Sequence, residues 1–141
     1  MNRMRRVVLD TSVLVSAALR IDSIPHRALL KALASCEVCA STETLAELES
    51  VLSRSKFDGY LNQESRRNFV AMIRRSVHLF AVDASAIQPR CRDPKDDQFL
   101  ALALAAEADV IVSSDQDLLV LHPWQGIPIL SPAEFISIER T

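Results

Sequence analysis

Two short runs, Val7-Val8-Leu9 and Val110-Ile111-Val112, constrain this chain more than any other feature. Both have strand composition, and both are apolar at every position rather than at alternate ones. A strand with that pattern is covered on both faces, as in a parallel sheet buried between helices. Each run ends at an acid among small hydroxyl residues: Asp10-Thr11-Ser12 after the first, Ser113-Ser114-Asp115 after the second. The carboxyl ends of parallel strands open on one edge, where ligands bind. Asp10 and Asp115 are therefore expected to share that edge.

Between these strands the pattern alternates. Helical periodicity runs from Ser12 to about Arg20 and, with Pro25 at a helix start, from His26 to Ala34. Val38 to Ala40 reads as a short strand. Thr42 or Thr44 then opens a helix carrying Leu45, Leu48, Val51 and Leu52, closed by the turn at Asp58-Gly59. A basic helix from Glu64 to about Arg75 precedes a segment of strand composition, Val77 to Val82. Pro89 to Lys95 is a loop, Asp97 to Ala108 a helix, and Ile127 to Leu130 a last strand before Pro132. This βα alternation, without repeats or low-complexity linkers, predicts an α/β fold with one parallel sheet between two helical layers. The 141 residues, 49% of them hydrophobic, suit a single domain over 1–141 with one substantial core.

Composition narrows the function classes. No apolar run reaches the roughly 20 residues a membrane span needs, so a soluble cytoplasmic protein is expected. A net charge of −2 offers no globally basic surface for a polyanion, and nucleic-acid binding has to be argued locally. The three cysteines, Cys36, Cys39 and Cys91, are odd in number and do not form a secreted disulfide framework. Cys36-Glu37-Val38-Cys39 has CxxC spacing but no second pair or paired histidines, and on a strand its cysteines face opposite sides. Buried thiols are expected.

The acids carry the chemistry. Asp10 could be a helix cap, but Thr11 and Ser12 are equally competent caps, and a carboxylate directly after a buried strand is desolvated unless a cation compensates it. Asp115 repeats that arrangement, with Asp117 two positions on. In Asp93-Pro94-Lys95-Asp96-Asp97, any acid suits the start of the following helix. Asp97 shares a helical face with Leu100, Ala101 and Leu104, whereas Asp96 is expected to point elsewhere. Glu47 and Glu49 flank the apolar stripe of their helix on opposite sides at about 100° per residue, so periodicity leaves both open. Thr44-Leu45-Ala46-Glu47 also fits a capping box, which would give Glu47 a purely local role. Carboxylates gathered at one edge repel one another unless a divalent cation is present, and oxygen ligands without a histidine cluster indicate Mg²⁺ or Mn²⁺.

Four segments in this order, 8–17, 47–57, 92–101 and 110–119, resemble the PIN-domain family over nearly the whole length, specifically the small bacterial members classed as toxins of toxin-antitoxin systems. The resemblance implies a PIN-like α/β/α domain and a metal-dependent endoribonuclease. It places Asp10, Glu47, Asp97 and Asp115 at the family's acidic quartet, choosing Glu47 over Glu49. It also implies Mg²⁺ or Mn²⁺ as cofactor, an antitoxin partner and a homodimer. Thr11, Ser12, Ser113, Asp117, Asp93 and Asp96 are the expected supporting residues. Ser12 stands where these relatives often have Asn, and Ser113-Ser114 where Thr-Gly is common.

On this reading the acids hold one or two ions that activate water for attack on an RNA phosphodiester, leaving a 5′-phosphate and a 3′-hydroxyl. An acidic site needs cations near it to admit a polyanion, and Arg66, Arg67, Arg74, Arg75, Arg90 and Arg92 are the RNA-binding candidates. With 5% aromatic residues, no base-stacking platform is visible. Two other readings compete. Leu9-Asp10-Thr11-Ser12 is similar to the haloacid-dehalogenase-like phosphatases, but these place a second Asp where Ser12 stands. The other is a PIN-fold interaction module acting only through a partner.

Overall fold

The computed structural model describes residues 5–83 and 94–138. Five strands form one sheet: β1 (Arg5–Leu9), β2 (Cys36–Ala40), β3 (His78–Leu79), β4 (Val110–Val112) and β5 (Ile129–Leu130). Their order is β3-β2-β1-β4-β5, and every neighbouring pair is parallel. The helices are α1 (Thr11–Leu19), α2 (Ile24–Ser35), α3 (Thr42–Leu52), α4 (Gln63–Ser76), α5 (Asp97–Ala105), α6 (Gln116–Leu119) and α7 (Pro132–Ser137). The chain builds outward from β1 through β2 to β3, then returns to add β4 and β5 on the other side. The strand order thus reverses between β1 and β4, and in open α/β sheets the crevice at that reversal receives ligands.

Alternate strand residues feed two cores. Val7, Leu9, Val38, Ala40, Val110 and Val112 pack on one face with residues of α1 to α4 and α7. Val8, Cys39, Ile111 and Ile129 pack on the other with α5, Leu118 and Trp124. This accounts for the unbroken apolar runs, because successive side chains point to opposite faces and both faces are covered. The expected three-layer α/β/α arrangement with a central parallel sheet is what the protein adopts. Cys36 packs against the first core and Cys39 lies in the second, on opposite faces, and both are thiols.

Three expected elements are shorter than their composition suggested. The segment 77–82 contributes only His78 and Leu79, both exposed, because this edge strand has β2 on one side and solvent on the other. The last strand begins at Ile129, not Ile127. Ile127 instead exchanges both backbone hydrogen bonds with Trp124 across a tight turn in which Gln125 and Gly126 have positive φ. Helix α5 stops at Ala105 because Glu107 adopts φ 51°. The Ala108 N–H then donates to the Ala103 carbonyl and the Glu107 N–H to that of Leu104, a left-handed helix stop of the kind glycine usually provides.

Candidate functional site

The site starts where β1 ends. The Asp10 N–H still donates to the Val112 carbonyl at 3.1 Å, so the first acid is stitched to β4 before the chain turns into α1. Asp10 itself caps α1: its Oδ1 accepts the Val13 N–H at 3.0 Å and the Ser12 hydroxyl at 2.7 Å. Its Oδ2 accepts the hydroxyl of Ser113, just past the end of β4. The same Ser113 oxygen accepts the Asp115 N–H at 2.9 Å. Ser113 is wholly buried and therefore couples the two acids through one hydroxyl.

Asp10 is 2% exposed. Burial pushes its carboxyl up from 3.8 to about 6; hydrogen bonds from Ser113, Ser12 and Val13 oppose the rise, and the negative charge of Asp115 adds to it. A carboxylate held in this way is capped and hydrogen-bonded, yet still faces another negative charge, and among the described residues no cation is paired with it. The cap role weighed in the sequence is real and falls to Asp10 rather than to Thr11 or Ser12, but it does not neutralise the charge.

Asp115 caps α6, with its Oδ1 accepting the Asp117 N–H at 2.9 Å. Carboxylate oxygens of Asp96, Asp115 and Asp117 lie within 4.8 Å of one another. That donor set, three hard oxygens converging without imidazole or thiolate, fits Mg²⁺ or Mn²⁺ and not a zinc site. Asp96 was expected to point away from the buried side, and this expectation is corrected. Residues Pro94–Asp96 form a 3₁₀ turn ahead of α5, so the α-helical phase used for Asp97 does not extend to Asp96. Asp97, the first residue of α5, is buried beside it but is not one of the three converging acids.

Glu47 is half-buried on α3, and its Oε2 accepts the Thr11 hydroxyl at 2.5 Å. The capping box of α3 is formed by Ser41 and Thr44, one turn earlier than the sequence suggested, so Glu47 is not consumed by it. Glu49 points to solvent and pairs with Arg74 at 2.6 Å. The ambiguity between the two glutamates is thereby resolved in local geometry: Glu47 reaches the residue after Asp10, and Glu49 reaches α4.

The arginines divide sharply. Arg66 is buried and donates to the carbonyls of Leu52 and Arg54 at 2.9 and 3.0 Å and to Asp58 at 2.5 Å. Its place among the RNA-binding candidates is corrected, because its guanidinium is used inside the protein. Arg67 and Arg75 are exposed, as is Arg74 in its pair with Glu49. Arg67 and Arg74 border a groove of about 310 Å³ between α3 and α4 whose floor includes Leu52, Val70 and Ala71. Arg90, Arg92 and Asp93 lie outside the described residues.

Residues 6–117 match the family model of the PIN domain, and the chain belongs to that family. No curated protein sequence matches it. Among solved structures, it is similar to VapBC2 of Rickettsia felis bound to a DNA fragment from their promoter, at TM-score 0.63 and 16% identity over 89% of this chain and 98% of that one. VapC20 of Mycobacterium tuberculosis, a sarcin-ricin loop cleaving toxin, matches at 0.56 and 16%, covering 86% and 98%. FitAcB of Neisseria gonorrhoeae matches at 0.57 and 17%, covering 90% and 98%. At these identities the likeness is one of fold.

Proposed function

We propose that the protein is a metal-dependent endoribonuclease and the toxin of a toxin-antitoxin pair. The observation that carries this reading is the gathering of carboxylates at the β1/β4 strand reversal, from the end of β1, the turn 94–96 and the start of α6. Membership of the PIN family supports it, as do the VapC20 and VapBC2 neighbours, one named for cleaving the sarcin-ricin loop and the other for its toxin-antitoxin pair. The antitoxin partner is proposed on the same ground.

Asp96, Asp115 and Asp117 would hold a Mg²⁺ or Mn²⁺ ion, with Asp10, Glu47 and Asp97 completing the acidic edge. When bound, such an ion supplies Lewis-acid stabilisation of charge on the phosphoryl oxygens and an activated water. The residues of the chain do the positioning. Ser113 and Ser12 fix both oxygens of Asp10, and backbone N–H groups orient Asp10 and Asp115 from the two strand ends. Arg67 and Arg75, exposed on α4, are the candidates for contacting phosphates. No helix among the described residues is long and apolar enough to cross a membrane.

The test is cleavage of a mixed RNA pool with Mg²⁺, Mn²⁺ or EDTA, comparing wild type with Asp10→Asn. Metal-dependent cutting that the variant loses is the expected result. Equal cutting by both proteins would remove Asp10 from the site, and no cutting with either metal would leave the nuclease reading without its activity.

A further inference from the structure

We propose that Thr11 is a positioning residue that holds Glu47 at the acidic edge. The inference rests on the nuclease reading above and concerns how one acid reaches the site. Asp10 and Asp115 each cap a helix, and backbone N–H groups of Val13 and Asp117 fix their carboxylates. Glu47 lies inside α3, where the backbone N–H groups are committed to the helix, so no local backbone donor can orient it. Its side chain is also longer and has more rotamer freedom than an aspartate. The Thr11 hydroxyl, donating to Glu47 Oε2 at 2.5 Å, supplies what the backbone supplies to the two aspartates.

A purely structural role for this bond, tying α1 to α3, is weakly supported. The two helices already share a core through Val13, Leu14, Ala17, Leu45 and Leu48. Thr11 does not cap α1 either, because Asp10 does. What the bond does accomplish is selective: it ties one oxygen of Glu47 to the residue after Asp10, while Glu49, two residues on, is drawn to Arg74 on α4.

The experiment compares wild type, Thr11→Val, Thr11→Ser, Glu47→Gln and Glu49→Gln, measuring Mn²⁺ binding by electron paramagnetic resonance and RNA cleavage across a Mn²⁺ titration. Threonine to valine removes the hydroxyl at nearly constant shape. Expected is a loss in Mn²⁺ affinity on the order of tenfold or more in T11V, as found when groups that orient metal ligands are removed. T11S retains wild-type affinity, excess Mn²⁺ restores cleavage to T11V, and E49Q matches wild type. In the Glu47→Gln background, Thr11→Val has no further effect. A change in melting temperature alone, with Mn²⁺ affinity intact in T11V, would overturn the positioning role and leave the nuclease reading standing. Thr11→Ala provides the same comparison if T11V does not fold. Wild-type protein that neither binds Mn²⁺ nor cuts RNA would overturn the nuclease reading and this assignment with it.

Discussion

Asp10 and Arg66 are both 2% exposed, and they handle a buried charge in opposite ways. Around Arg66 the compensation is complete: carbonyls of Leu52 and Arg54 and the carboxylate of Asp58 receive its N–H groups. Around Asp10 the donors among the described residues are two hydroxyls and one backbone N–H, and the charge of Asp115 beside it has the same sign. A compensated buried charge is part of the scaffold, since removing it would leave polar groups unsatisfied. One that is not compensated by the protein is stabilised by any cation that binds beside it. Among the described residues the protein thus keeps a compensated ionic cluster at the junction of α3 and α4 and a group of like charges at the edge of its sheet.

The contrast can be broken most severely at the acidic edge. Asp115→Asn should reduce metal-dependent RNA cleavage by several kcal/mol of barrier, on the order of a thousandfold, while the melting temperature stays close to wild type. Parallel cleavage assays and thermal melts test this pairing, and a variant that melts early but cuts normally would reverse the two roles. Arg66→Met should do the opposite. Leaving two carbonyls and Asp58 without their donor should cost about 2–4 kcal/mol of stability, read from urea denaturation, with Mn²⁺ affinity of the folded fraction unchanged.

The pH response separates the regions next. Because burial raises the Asp10 carboxyl to about 6 from 3.8, the folded protein holds a proton that the unfolded chain releases between those values. Without metal, this group's contribution should therefore fall as pH rises from about 4 to 6, by up to about 3 kcal/mol, and stay low above that. Asp10→Asn should flatten that slope in EDTA-treated protein, and an unchanged slope would remove Asp10 as its source. Mn²⁺ at about 100 times its dissociation constant should add about 2.7 kcal/mol to wild type at neutral pH and distinctly less to Asp115→Asn. The smallest effect belongs to Glu49→Ala, which breaks an exposed ion pair with Arg74 and should shift stability by less than about 1 kcal/mol.

The sequence revealed the centre of the fold better than its margins. Strands β1 and β4 were legible because burial on both faces demands apolar residues at every position, and the acids that follow them were legible for the same reason. Glu107 was not, since a left-handed helix stop is usually signalled by glycine, and here a glutamate takes that conformation. Asp96 was misdirected because a 3₁₀ turn precedes α5, and nothing in Asp93-Pro94-Lys95-Asp96 distinguishes that turn from a first helical turn. Arg66 looked like its neighbour Arg67, because periodicity can show that an arginine faces inward but not that carbonyls from a preceding loop await it. Glu47 and Glu49 differed only through partners on other elements, Thr11 and Arg74, that sequence spacing does not bring together.

The hydroxyl bridge between Asp10 and Ser113 spans 103 positions of the chain. During synthesis at about 5–20 residues per second, its two halves emerge roughly 5–20 seconds apart. For that interval the first acid exists without the serine that holds its Oδ2 and without Asp115 and Asp117. The acidic edge is therefore complete only after Asp117 has been made, and the closure of the β1/β4 seam is what brings its two halves together.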